Sequence, residues 1–236
     1  MSDILNANRN SAGSDDFEYQ LATAGSGDLY PIPTGNVLVE IERIAGALLD
    51  LRRGRGGQVI TFASSVHGEG SSFISYNVAR HISYMLGQKV VWIDANFRSP
   101  QNGLIDDGVN FRELLIAPDT FNDISTGSDL TLIPHGNRHI RTTDLLESDS
   151  YSELLTRFQD KFALTILDAP PISQSIDVGR LAGPTMGLVL VVEARRLKYQ
   201  IIRHGVEKLN SQGVNVIGTV INRMTYDVPA AIYNRL

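Results

Sequence analysis

Gln58-Val59-Ile60-Thr61-Phe62-Ala63 leads into Ser64-Ser65-Val66-His67-Gly68-Glu69-Gly70-Ser71-Ser72, then an amphipathic run to Gly87, then Lys89-Val90-Val91-Trp92-Ile93-Asp94-Ala95-Asn96-Phe97-Arg98. An apolar run, a glycine-bearing loop, a helix-length segment and a second apolar run closed by aspartate make a βαβ unit with a phosphate-type loop in its first turn. One residue departs from that pattern. Where G-K-[ST] requires lysine, the chain has Ser71.

Beyond this unit the sequence predicts a short helix near Asn110 to Leu115, a strand at Leu130 to Pro134 and a helix from Tyr151 to about Lys161. The apolar run Phe162 to Asp168 follows, then a strand at Gly187 to Glu193, a helix at Leu197 to Gln212 and a strand at Val214 to Ile221. Strands alternating with helices predict an α/β fold, a mostly parallel sheet with helices on both faces. Functional residues in such sheets gather at the carboxyl ends of the strands. The loop, Asp94 and Asp168 all fall there.

Upstream, Val37, Leu38, Ile41, Ile44, Ala45, Leu48 and Leu49 recur at three- and four-residue intervals and predict a helix from Asn36 to Leu51. A basic, glycine-rich turn from Arg52 to Gly57 follows. Residues 1–34 are rich in Ser, Asn, Asp and Gly, end in Pro31-Ile32-Pro33, and read as a disordered arm. The expected division is that arm, one domain over 35–225 and a tail over 226–236.

Composition narrows the function classes. The chain has no cysteine, which excludes disulfides, thiolate metal sites and a cysteine nucleophile. Its net charge of -5 provides no global basic field for nucleic acid. The start is acidic and no apolar run approaches the ~20 residues of a membrane span. A cytoplasmic protein is expected, with membrane contact only at the inner face of the plasma membrane and through a partner.

A phosphate loop works because backbone N–H groups around a glycine turn and a helix start face the phosphates while a lysine neutralises their charge. The next Ser or Thr hydroxyl and a strand-terminal Asp hold Mg²⁺. The candidates here are His67, Gly68, Glu69, Gly70, Ser71 and Ser72 for nucleotide, and Ser72, Asp94 and Asp168 for metal, with the two aspartates also the catalytic candidates. A Gly-Glu-Gly turn alone is a common strand-to-helix device. Two strand-terminal aspartates in chain order make the functional reading the stronger one. Lys89, Lys161, Lys198 and Lys208 all lie outside the loop, and Arg98, Arg53 and Arg55 are the arginine candidates to supply the missing charge.

The order of these motifs resembles the bacterial tyrosine kinases of polysaccharide export, from about Val37 to Met224. That family has Pro-Gly-Glu-Gly-Lys-Ser-Thr where this chain has His67-Gly-Glu-Gly-Ser71-Ser72-Phe73. Its Asp-x-Asp-x-Arg motif is matched by Asp94-Ala-Asn96-Phe-Arg98, followed by Pro100, and its Asp-Thr-Pro-Pro motif by Asp168-Ala169-Pro170-Pro171, with Asp177 beyond. Asn222-Arg223 resembles the family's base-side pair. Glu40-x-x-Arg43-x-x-Gly46 resembles its oligomerisation motif without the last arginine, and Tyr226 and Tyr233 are what the tail keeps of its tyrosine cluster.

The resemblance implies a P-loop NTPase-like fold, ATP or ADP with Mg²⁺, and Asn222 beside the nucleotide. It also implies homo-oligomers through Glu40 and Arg43, a membrane polysaccharide co-polymerase as partner, and no nucleic acid. Ser71 and Asn96 replace a lysine and an aspartate that the family uses for chemistry. The expected function is therefore that of a degenerate kinase, a pseudokinase with a regulatory or scaffolding role in polysaccharide synthesis and export. One alternative is an active but atypical autokinase or ATPase that takes the missing charge from an arginine or a partner. Another is a partitioning ATPase of the related fold, against which Arg98, Pro100 and the loop without lysine speak.

Overall fold

The computed structural model describes residues 29–51, 56–97, 109–124, 130–136 and 145–224. Six helices and six strands are considered below: α1 (Gly35–Asp50), β1 (Gln58–Ser64), α2 (Ser71–Leu86), β2 (Val90–Asp94), α3 (Phe111–Ile116), β3 (Leu130–Ile133), α4 (Asp149–Lys161), β4 (Leu164–Asp168), α5 (Asp177–Ala182), β5 (Gly187–Glu193), α6 (Tyr199–Ser211) and β6 (Val216–Asn222). The strands form one sheet in the order β3-β2-β4-β1-β5-β6, and every pairing is parallel.

Why the strands read as unbroken apolar runs is visible in their burial. All residues of β1, β2 and β4 are buried, because a parallel sheet carries its crossover helices on both faces. Alternate residues then serve opposite faces. Val59, Ala63, Val91, Ile93, Leu188 and Leu190 pack with α3, α4 and α5, whereas Ile60, Phe62, Val90, Trp92, Val189 and Val191 pack with α1 and α2. The expected layers are therefore present. Among the described residues, no helix is long and apolar enough to cross a membrane.

The structure differs from expectation at two places. Leu29 and Tyr30, assigned to the arm, pack on the domain: the Leu29 N–H donates to the Tyr76 hydroxyl at 3.2 Å, and the Tyr30 ring lies 6.0 Å from Phe73 and 5.5 Å from Tyr76. Local polarity concealed this, because what holds these two residues is an aromatic cluster more than 40 positions away. The six-residue helix α5 was not expected, being too short to show a periodicity. Asp177 opens it, its N–H donating to the Ser175 hydroxyl at 3.1 Å. The edge strand β6 is only partly buried, unlike the continuous core strands. Residues 1–28, Arg53, Arg55, Arg98, Pro100, Tyr226 and Tyr233 lie outside the described residues.

Tyr151 joins α4 to α5, its hydroxyl donating to the Leu181 carbonyl at 2.7 Å while its ring meets Phe111 edge-on. Burial raises its pKa, so the bond stays neutral. Tyr151→Phe keeps the ring and deletes the bond; it should cost about 1–2 kcal/mol and lower the melting temperature by about 2–8 °C. An unchanged thermal transition would refute this role.

Candidate functional site

β1 lies between β4 and β5, so the loop that leaves it is held from both sides. The Ser65 N–H donates to the Val191 carbonyl at 3.2 Å, and the N–H groups of Ile172 and Ser173 donate to the Ser64 and Ser65 carbonyls at 2.9 and 3.2 Å. Gly68 and Gly70 then take φ of 85° and 91°, the left-handed region that glycine enters without a Cβ penalty. At Gly70 a Cβ would also run into the Asn222 amide. The first bond of α2 runs from the Ile74 N–H to the Gly70 carbonyl at 3.0 Å. The N–H groups of the preceding turn are thus not used inside the helix, and no acidic residue or side-chain cap covers them. Such an end favours an anion.

Glu69, expected at the nucleotide, has its side chain turned inward. Its side chain is fully buried, with one carboxylate oxygen accepting from the Val66 N–H at 2.9 Å and the other from the Glu193 N–H at 3.1 Å. A buried carboxylate needs such donors. The carboxylate braces the loop from within and ties it to the end of β5, instead of facing a ligand. Asn222, expected beside a nucleotide, donates its amide to the Glu69 carbonyl at 2.8 Å.

Two arginines complete the outer side. Arg196 donates to the His67 carbonyl at 2.8 Å and to Glu193 at 2.9 Å; Arg223 donates to the Gly68 carbonyl at 3.3 Å and to the same Glu193 oxygen at 3.1 Å. Partial burial opposes ionisation of Glu193, but the hydrogen bonds and charges of Arg196 and Arg223 outweigh it and lower its pKa. His67 itself is exposed, and Arg196 reaches its backbone carbonyl.

Asp94 and Asp168 are register partners at the ends of adjacent strands, and both are fully buried. Asp94 accepts from the Asn96 N–H at 3.0 Å, and its other oxygen lies 3.6 Å from Nδ1 of His135. Neither oxygen of Asp168 has a hydrogen-bond partner, and the buried Ser65 and Ser71 hydroxyls also have none. Burial, with the Asp94 charge adding to it, pushes Asp168 up to about 8 despite the lowering effect of the Ser72, Ser75 and Ser71 hydroxyls. A buried carboxyl beside a second carboxyl and serine hydroxyls is an oxygen-only set suited to Mg²⁺, which typically takes one or two carboxylates plus phosphate oxygens and water. Among the described residues no group of three or more His, Asp or Glu converges, so Ser72, Asp94 and Asp168 are the whole candidate set.

The fold thus brings Ser71, Ser72, Asp94 and Asp168 together and places Glu69 and Asn222 as supports of the loop. Glu40 and Arg43 lie elsewhere, paired at 2.8 Å on the exposed face of α1, where an isolated ion pair contributes little to stability. Sequence reasoning missed Arg196 and His135. Each follows a strand end, the only signal available, because both meet their partners through the sheet and not through local spacing.

The carboxyl of Asp168 makes a pH prediction. In the unfolded chain it ionises near pH ~3.9, and in the fold near about 8. Between these values folding takes up a proton, so its contribution to stability declines as pH rises and levels off above pH 8. Asp168→Asn should therefore melt higher than the unsubstituted protein at pH 8, by ~4 °C or more, with the gap closing toward pH 4. A gap that is absent or widens toward acid would contradict the assignment.

No protein-family model matches the chain. It is 25% identical over 185 residues to tyrosine-protein kinase CpsD of Streptococcus agalactiae, covering 74% of this chain and 79% of that protein. It is 24% identical over 181 residues to CapB of Staphylococcus aureus, covering 74% and 78%. Among solved structures, the chimeric protein CapA2B2 superposes with a TM-score of 0.72 at 23% identity, covering 82% of this chain and 87% of that one. The VpsO kinase domain gives 0.70 at 25% identity, covering 80% and 94%. A plasmid partition protein of Borrelia burgdorferi shares the wider fold at a TM-score of 0.57 and 16% identity, covering 76% and 86%. The sheet, with its loop after the central strand, has a P-loop NTPase-like fold, and the chain is similar in sequence to bacterial tyrosine-protein kinases.

Proposed function

We propose that this protein is a catalytically weakened relative of those kinases that binds ATP or ADP with Mg²⁺ and serves a regulatory or scaffolding role in extracellular polysaccharide synthesis and export. The observation that carries this is the combination at one site: Asp94 and Asp168 remain paired and buried beside the start of α2, while Ser71 stands at the lysine position. The α2 N–H groups would receive the terminal phosphates. Ser72, Asp94 and Asp168 would hold Mg²⁺, whose chemistry when bound is to neutralise phosphate charge. The partner class that fits the reading is a membrane polysaccharide co-polymerase.

Magnitudes separate binding from turnover. A preorganised group that stabilises transition-state charge is worth roughly 10²- to 10³-fold in rate, and a general base ~10²- to 10⁴-fold. Starting from the ~1–100 s⁻¹ of active kinases, loss of both leaves between roughly one turnover in two minutes and one in several months. Ground-state binding loses less, because backbone N–H groups and the carboxylate pair do not depend on Ser71 or Asn96.

Two measurements on the full chain test the reading. ADP with Mg²⁺ should bind in calorimetric titration, while incubation with labelled ATP should give no phosphate transfer above that of Asp94→Ala. Ser71→Lys combined with Asn96→Asp should raise transfer by at least ~10-fold. Steady autophosphorylation of the unsubstituted protein, abolished in Asp94→Ala, would instead establish an active kinase.

A further inference from the structure

Three consecutive loop carbonyls are held by side chains from the far ends of β5 and β6. His67 accepts from Arg196, Gly68 from Arg223 and Glu69 from Asn222, at 2.8, 3.3 and 2.8 Å. In a trans peptide the carbonyl and the following N–H point in opposite directions. Fixing these carbonyls on the outer side therefore turns the N–H groups of Gly68, Glu69 and Gly70 the other way. Arg196 and Arg223 share one Glu193 oxygen, and Glu193 donates its own N–H to the buried Glu69 carboxylate. The loop is bound on both sides of Glu193.

Backbone strain supports a dedicated arrangement. Arg195 and Arg223 are the two described non-glycine residues with positive φ, at 64° and 54°, and both belong to the segments that present the arginines. Such conformations persist only where the surroundings over-determine them. The two guanidinium charges are matched by Glu193 and Glu69, so this cluster adds orientation and little net charge.

We propose that Arg196 and Arg223 are positioning residues that set the peptide orientations of the loop for the terminal phosphates of a nucleotide, which lets a loop with Ser71 bind without lysine. The proposal rests on the nucleotide reading above. It concerns the β- and γ-phosphates, because the peptides it orients belong to the loop turn. Arg196 is the better probe, since its bond to the loop is the shorter, 2.8 Å against 3.3 Å, and its backbone, unlike that of Arg223, is outside the left-handed region.

Calorimetric titration of the full chain with ADP and with AMP, each with Mg²⁺, tests it. Arg196→Ala should weaken ADP by about 10-fold or more and AMP by much less, so the ratio of the two affinities collapses. Arg196→Lys, which can engage the His67 carbonyl or Glu193 but not fork between them, should fall between. Melting temperature without ligand should move little, which separates orientation from folding. If the unsubstituted protein binds ADP and Arg196→Ala keeps both affinity and ratio, the positioning role is overturned while the nucleotide reading stands. Equal weakening of ADP and AMP would also overturn it. If the unsubstituted protein binds neither nucleotide at millimolar concentration, the nucleotide reading itself fails and this inference with it.

Discussion

The parallel pairing of β1 with β4 on one side and β5 on the other is the constraint from which the site follows. Each residue of β1 is buried, so the chain can change direction only where that strand ends. Parallel pairing brings all strand ends of one polarity to one edge of the sheet. The loop, Asp94, Asp168 and Glu193 therefore meet there although up to 129 positions separate His67 from the arginine that binds it. No local preference in any one segment could assemble them.

At that edge the charges are arranged unequally. Glu69 and Glu193 are satisfied, one by backbone N–H groups and the other by two arginines, and they hold the loop. Asp168 is not, and burial keeps its proton on at neutral pH. An unsatisfied buried carboxyl group costs stability. Its presence beside the serine hydroxyls is the kind of local conflict that folded chains retain where a ligand resolves it. The same edge holds the strained backbone at Arg195 and Arg223.

Loss of the lysine position changes how such a loop can work. A lysine follows phosphate charge as it shifts during transfer, whereas backbone N–H groups fixed by an outer brace favour a bound phosphate without tracking the reaction. In the function proposed above, a site built in this second way suits recognition better than chemistry. The Glu40–Arg43 pair is exposed on α1, and the edge strand β6 is only partly buried, both away from the paired aspartates.

The apolar runs, the helical spacing of α1 and the positions of Gly68, Gly70, Asp94 and Asp168 made the layered α/β fold and the centre of the site legible from sequence alone. These are properties of period and composition, which a linear reading captures. Orientation was not legible. That Glu69 turns inward, that Asn222 grips the loop backbone, that Arg196 stands beside the loop, and that Leu29 and Tyr30 pack against α2 all depend on contacts between residues far apart in the chain. Sequence determined which elements form and what chemistry their ends carry. Only tertiary structure decided which side each polar group faces, because buried donors and acceptors must find partners wherever the fold places them.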